Sequence, residues 1–226
     1  MSEFIFMLTH HDATVPDALT VYDQIRDTDL RHVGFKDIGA SLNTLAELTR
    51  RMHTDGRTVY LEVVSVTAHD ELRSIRAASD IGVDVVMGGT HTGQALPILT
   101  GRGLRYFPFP GRIVGHPSIL EGTVEEIATS AAALSAQPGV HGLDLLAYRH
   151  REPVEPIISA VVQASAGPVV VAGSIADESR ILAVTERGAW GFTIGGAVFE
   201  GALPAGPTVR EQVKWALAAA QRAMGV

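Results

Sequence analysis

Cysteine is absent from the 226 residues. That removes disulfides, thiolate metal sites, iron–sulfur clusters and cysteine nucleophiles together, and it suits a reducing compartment. No apolar stretch approaches the ~18 residues that a membrane span requires. The Met-Ser-Glu start carries no basic n-region, so a cytoplasmic protein with no membrane partner is the expectation. Basic residues number 18 against 25 acidic ones, for a formal net charge of -7, and no basic run stands out. The electrostatic footprint of a nucleic-acid binder is therefore missing. Lysine occurs at two positions only, Lys36 and Lys214. A dinucleotide fingerprint is also lacking, because the first strand candidate runs into Thr9-His10-His11-Asp12 with no glycine-rich turn.

With 46% hydrophobic and 19% charged residues, the chain has ample material for one packed core, and a disordered chain is excluded. Short β-branched or apolar runs alternate with stretches of helical periodicity, the pattern that specifies a parallel sheet with helical crossovers. Eight strand candidates fall at 3–9, 32–37, 58–64, 83–88, 104–109, 140–146, 168–173 and 190–195. Helices are expected at 16–26, 42–53, 70–79, 94–100, 123–136, 154–164, 177–187 and 209–224. Thr123 precedes Glu125 and Glu126, and Asp177 precedes Glu178, favourable charges for a helix start. Eight such units within about 250 residues match a (β/α)8 TIM barrel with no extra domain. The fold expected is therefore a single-domain α/β barrel over residues 1–226, with an open doubly wound sheet as the alternative. One connection, 110–118, is long; at the C-terminal end of a barrel strand it is either a lid or a tolerated surface insertion.

Side chains alternate across a strand, so apolar neighbours tell which way a charge faces. Val59, Leu61 and Val63 make a helix-covered face and turn Glu62 inward. Val33 and Phe35 do the same for Gly34 and Lys36, and Leu143 and Leu145 for Asp144. Three ionisable groups thus share one interior, where they must pair, shift pKa or face a wet mouth. Lys36 and Glu62 would be sheet neighbours, with Asp144 across the barrel. Proton abstraction and return require such an arrangement; a salt bridge that only ties adjacent strands is the alternative. His10 and Asp12 are read as sharing one face at the end of the first strand, with His11 opposite. His91 follows the fourth strand as a general acid or substrate hydrogen-bond donor. These groups leave a divalent metal open, but no spacing matches a zinc pattern, so no metal or other cofactor is expected.

The strongest local signals come last. Val169-Val170-Val171-Ala172-Gly173-Ser174 ends the seventh strand and Phe192-Thr193-Ile194-Gly195-Gly196 the eighth. Barrels place phosphate pockets there, where backbone N–H groups approach a ligand closely. Gly173, Ser174, Gly195 and Gly196 are the phosphate-binding candidates. On these residues the chain resembles the ribulose-phosphate binding barrels, which include indole glycerol phosphate synthases, histidine-biosynthesis barrels and ribulose phosphate epimerases. Gly195-Gly196-Ala197-Val198 is similar to the last phosphate loop of N-acetylmannosamine-6-phosphate epimerases, and Ala172-Gly173-Ser174 sits where their seventh-strand loop would be. The departures matter. Those epimerases carry a glutamate at the place of Ala172 and a catalytic lysine on the third strand, where this chain has Glu62. The resemblance implies a phosphate grip, not that reaction.

The function expected is proton transfer at the carbon next to a carbonyl of a small phosphorylated sugar or sugar acid, an isomerase or epimerase. Lys36, Glu62 and Asp144 would act with His91, His10 and Asp12 in reach. A Schiff-base aldolase using Lys36, and a phosphometabolite-binding barrel without turnover, are the alternatives. Barrel aldolases usually place their lysine on the fourth or sixth strand, where this chain has none. Val213, Trp215, Ala216, Leu217 and Met224 form a stripe on the last helix that either covers the barrel or meets a second copy in a homo-oligomer.

Overall fold

The computed structural model describes residues 2–151, 153–223 and 225. Eight parallel strands form one sheet: β1 (Glu3–Met7), β2 (His32–Lys36), β3 (Thr58–Val63), β4 (Val85–Gly88), β5 (Arg105–Phe107), β6 (Leu143–Leu145), β7 (Val169–Val171) and β8 (Gly191–Ile194). Neighbours follow the order β6-β7-β8-β1-β2-β3-β4-β5. The two ends of that order meet, because His141 N–H donates to the Tyr106 carbonyl at 2.9 Å and Asp144 N–H to the Pro108 carbonyl at 3.1 Å. This is the closed TIM barrel, not the open sheet, and each strand lies inside its expected range.

Helices α1 (Ala18–Asp23), α2 (Leu42–Thr54), α3 (Ala68–Ile81), α4 (Thr92–Leu99), α5 (Val124–Ser135), α6 (Val154–Ala164) and α7 (Glu178–Glu186) return the chain between strands. A short α8 (Gly196–Phe199) and a long α9 (Val209–Ala223) follow β8. Their starts are written in the sequence. Thr123 and Glu126 make a reciprocal capping box, and the Asp177 side chain accepts the Arg180 N–H. The apolar stripe of α9 covers the barrel: Val213 and Ala216 are buried in the main core, with Trp215 and Leu217 packed against it, while Met224 lies outside the described residues. No helix of the described residues is long and apolar enough to cross a membrane.

Two apolar layers result from strand alternation. Val33, Phe35, Val59, Leu61 and Val63 point outward into the core shared with the helices. Ile5, Met7, Tyr60, Val85, Met87, Phe107 and Val170 fill the barrel interior as a separate cluster. The inner cluster plugs the middle, so the polar inward residues are sorted to the two ends. Two small hairpins decorate the C-terminal end. One pairs Thr9–His10 with Ala13–Thr14 directly after β1; the other pairs Arg112–Val114 with Ile119–Glu121 within the long connection after β5.

Candidate active site

The first hairpin decides what Lys36 meets. Its two-residue loop, His11-Asp12, has both φ angles positive, at 48° and 62°, as a tight hairpin turn demands and as His and Asp tolerate better than most residues. The Thr14 hydroxyl accepts the Lys36 N–H and donates to the Lys36 carbonyl, both at 2.8 Å, and so fixes the hairpin to the end of β2. The turn delivers Asp12 into the barrel mouth, where its carboxylate binds the Lys36 ammonium directly. Glu62, in register with Lys36 on the neighbouring strand, holds the same ammonium at 3.4 Å.

Arg149 completes the cluster. It lies in a single helical turn, Ala147–Arg149, immediately after β6, and its guanidinium donates to Asp12 at 2.9 Å and to the Ser118 carbonyl at 3.3 Å. Ser118 N–H in turn faces Asp12 at 3.4 Å. The long connection after β5 therefore folds over the mouth as a hairpin tied to the site. Burial alone would raise the Asp12 pKa, but the Lys36 and Arg149 charges bring it down to about 2. Burial alone would lower that of Lys36, and the Glu62 and Asp12 carboxylates reverse the shift, so the ammonium is held charged.

Asp144 differs from all of these. It is fully buried, and neither carboxylate oxygen has a hydrogen-bond partner among the described residues. Burial, and then the charge of Glu62, push its pKa well above the usual carboxylate range.

Above this group opens a cavity of about 640 Å³. Asp12, Lys36 and Glu62 line its inner part, and Gly173, Ser174, Gly195 and Gly196 line it from the last two strands, together with Arg149, Arg180 and His11. Asp144 is sealed from it. The other two expected residues lie elsewhere. His10 is turned outward by the β1 hairpin onto Glu200 at 3.2 Å, because the reversal at His11-Asp12 ends the strand alternation that would have put it on the face of Asp12. His91 leads into α4 and gives its Nδ1 to the buried Glu71 at 2.7 Å, outside the residues lining the cavity. Among the described residues no group of three His, Asp or Glu side chains is arranged to hold a metal ion.

The glycines also have packing reasons. A Cβ at Gly195 would lie 2.5 Å from Thr9 Oγ1 and 2.8 Å from its carbonyl, and one at Gly173 would lie 2.8 Å from Arg149 Cγ. Arg149 and Arg180 were not evident as site residues from strand alternation, since both stand outside strands. The available signal was position: Tyr148-Arg149-His150-Arg151 is a basic cluster directly after a barrel strand.

No protein-family model matches the chain, and no curated protein matches it. Its fold is similar to solved structures. One is the tryptophan synthase alpha chain from Legionella pneumophila, at 12% identity over 99% of this chain and 92% of that one, with a TM-score of 0.66. Another is orotidine 5'-phosphate decarboxylase from Pyrococcus horikoshii, at 14% identity over 96% and 99%, TM-score 0.64. A third is FabK from Thermotoga maritima, at 16% identity over 87% of this chain and 59% of that one, TM-score 0.58. At such identities the likeness is one of fold.

Proposed function

We propose that the chain is an isomerase of a small phosphorylated sugar or sugar acid that moves a proton from the carbon next to a carbonyl to the carbonyl carbon itself. The observation that carries the reading is the inner cluster: a lysine between two carboxylates, with a third carboxyl, Asp144, fully buried near them and without a hydrogen-bond partner among the described residues. A structural ion pair has no need of Asp144, whose burial costs about 1–3 kcal/mol while it lacks a partner.

Within the cluster the groups take different roles. Asp12 is pinned by two cations and is a poor base. Glu62 lines the cavity with one long contact to Lys36 and is the carboxylate placed to take the α-proton. Lys36 stabilises the negative charge that develops on the former carbonyl oxygen, the proton of the neighbouring hydroxyl passes to that oxygen within the enediolate, and Glu62 returns the carbon-bound proton to the former carbonyl carbon, leaving the new carbonyl on the former α-carbon. The remaining carboxylate of the cavity, Glu200, sits at the rim on His10. With one base at the reacting end, a one-base isomerisation is favoured over a two-base epimerisation. The phosphoryl group is assigned to the mouth formed by Gly173, Ser174, Gly195 and Gly196, so that its binding energy positions the reacting carbon.

The test is to incubate the protein in D2O with a panel of aldose, ketose and sugar-acid phosphates and follow exchange at the α-carbon by proton NMR. Exchange in the parent protein that is lost in Glu62→Gln supports the reading. Binding of these compounds without exchange or conversion identifies a non-catalytic binding barrel instead. Borohydride with the same panel covers the aldolase reading: an adduct trapped on Lys36 replaces the isomerase, although a lysine held charged by two carboxylates is poorly set for Schiff-base attack.

A further inference from the structure

The turn at Gly173-Ser174 is not the open backbone cradle that its glycine suggests. Arg149 lies across it, with Cγ and Nε 2.8 and 3.0 Å from where a Gly173 Cβ would be. On the other side, the Arg180 guanidinium donates to the Ser174 carbonyl, and both arginines line the same cavity as the turn. Arg180 is pre-positioned by Tyr148, the residue next to Arg149. The Tyr148 ring lies 4.9 Å from the guanidinium carbon, and its hydroxyl donates to the Arg180 carbonyl at 3.4 Å. Asp177 steadies the same guanidinium at 3.4 Å. Between the two arginines stands Ser174, exposed to the cavity and held at φ 55°, a left-handed conformation that serine rarely adopts. Backbone strain of this kind persists where the surroundings impose it and concentrates at ligand sites.

Resting on the phosphorylated-substrate reading above, we propose that Arg149 and Arg180 form a clamp for the phosphoryl end of the substrate, with the seventh-strand turn presenting side chains to the anion. Guanidinium forks match phosphoryl oxygens in geometry as well as charge. Arg149 contacts Asp12 and the phosphoryl site with one side chain, so it links occupancy of the outer cavity to the position of the inner cluster.

The probe is inorganic phosphate at low ionic strength and slightly alkaline pH, titrated calorimetrically into the parent protein, Arg180→Gln, Arg180→Lys, Arg149→Gln and, as a surface-charge control, Arg102→Gln. The clamp requires about a tenfold loss of affinity in Arg180→Gln and in Arg149→Gln. It also requires only partial recovery in Arg180→Lys, which keeps the charge and loses the fork, and no change in Arg102→Gln. Arg180 sits outside the buried cluster, so its variants report even where Arg149→Gln unfolds, which a thermal melt checks. If the parent binds phosphate and neither Gln variant weakens it, the clamp is overturned while the phosphorylated substrate stands. If the parent binds no phosphate, the substrate reading falls and the clamp with it.

Discussion

The two ends of the barrel interior both hold ionisable side chains, and they treat them differently. At the N-terminal end His32 sits between Tyr60, whose hydroxyl is hydrogen-bonded to Nδ1 at 3.0 Å, and Glu3, 3.5 Å from Nε2, with the Tyr60 and Trp190 rings edge-on at 5.7 Å each. Burial lowers the His32 pKa, and its neighbours satisfy the neutral ring. At the C-terminal end Lys36, Asp12, Glu62 and Arg149 interlock, and neither Asp144 oxygen has a hydrogen-bond partner among the described residues. The apolar middle, with Met7, Met87 and Phe107, separates the two. A closed polar network is a plug. One with an unsatisfied member is an arrangement kept at a cost, and the proposed function rests on this contrast more than on the presence of charge.

The largest effect should come from Lys36→Met. It leaves Asp12 and Glu62 as buried carboxylates without their shared cation, a loss of about 3–5 kcal/mol, read as a lowered urea midpoint, together with loss of any α-proton exchange. A mild loss of stability would show that water already reaches these groups and would weaken the contrast. Next comes Asp144→Leu, with the opposite sign. Removing an unpaired buried carboxyl should stabilise the fold by about 1–3 kcal/mol, read as a raised urea midpoint. A destabilised Leu variant would mean that Asp144 has a partner and belongs to a plug.

The same carboxyl gives a pH test. Its folded pKa is raised above 3.8, so its contribution to stability is complete below that value and is lost as pH rises through the folded pKa. Asp144→Asn cannot ionise and escapes that loss. Its stability relative to the parent should therefore be near neutral at pH about 4 and grow steadily toward alkaline pH, in urea titrations run at several pH values. A pH-independent difference would place the Asp144 pKa at its ordinary value. At the acid end, Asp12 acts in the reverse sense: its stabilising contribution holds above the normal carboxylate range and fades as pH falls toward about 2.

Much of this was legible in the sequence because strand alternation is a strong constraint. Val33 and Phe35 around Gly34, and Val59, Leu61 and Val63 around Glu62, fix which side chains enter the barrel, and the register then puts Lys36 opposite Glu62. Alternation says nothing once the chain leaves the sheet. Alternation would put His10 and Asp12 on one face, but two consecutive positive φ angles reverse the chain at His11-Asp12 and send Asp12 in and His10 out. Arg149 and Arg180 lie beyond its reach for the same reason: their positions are set by a single helical turn and by the first turn of α7, through contacts with Tyr148, Ser118 and Ser174 that sequence spacing does not encode. Glu71 is a further case. It lies on a helix, yet its carboxylate accepts the N–H groups of Thr90 and His91 and takes His91 away from the mouth.

The smallest effect tests the plug itself. Tyr60 belongs to both regions by position: its ring is part of the apolar middle, and its hydroxyl reaches down to His32. Tyr60→Phe keeps the ring packing and removes one hydrogen bond, leaving Nδ1 of the half-buried His32 without its partner. The expected cost is about 1 kcal/mol of stability, measured by urea denaturation, with phosphate affinity and α-proton exchange unchanged. The invariance is the sharper part. Lys36 and Glu62 lie one inward step along β2 and β3 from Gly34 and Tyr60, so if the two ends were one continuous network, loosening His32 would alter exchange at Glu62. A change in exchange larger than the stability loss explains would join the plug to the site.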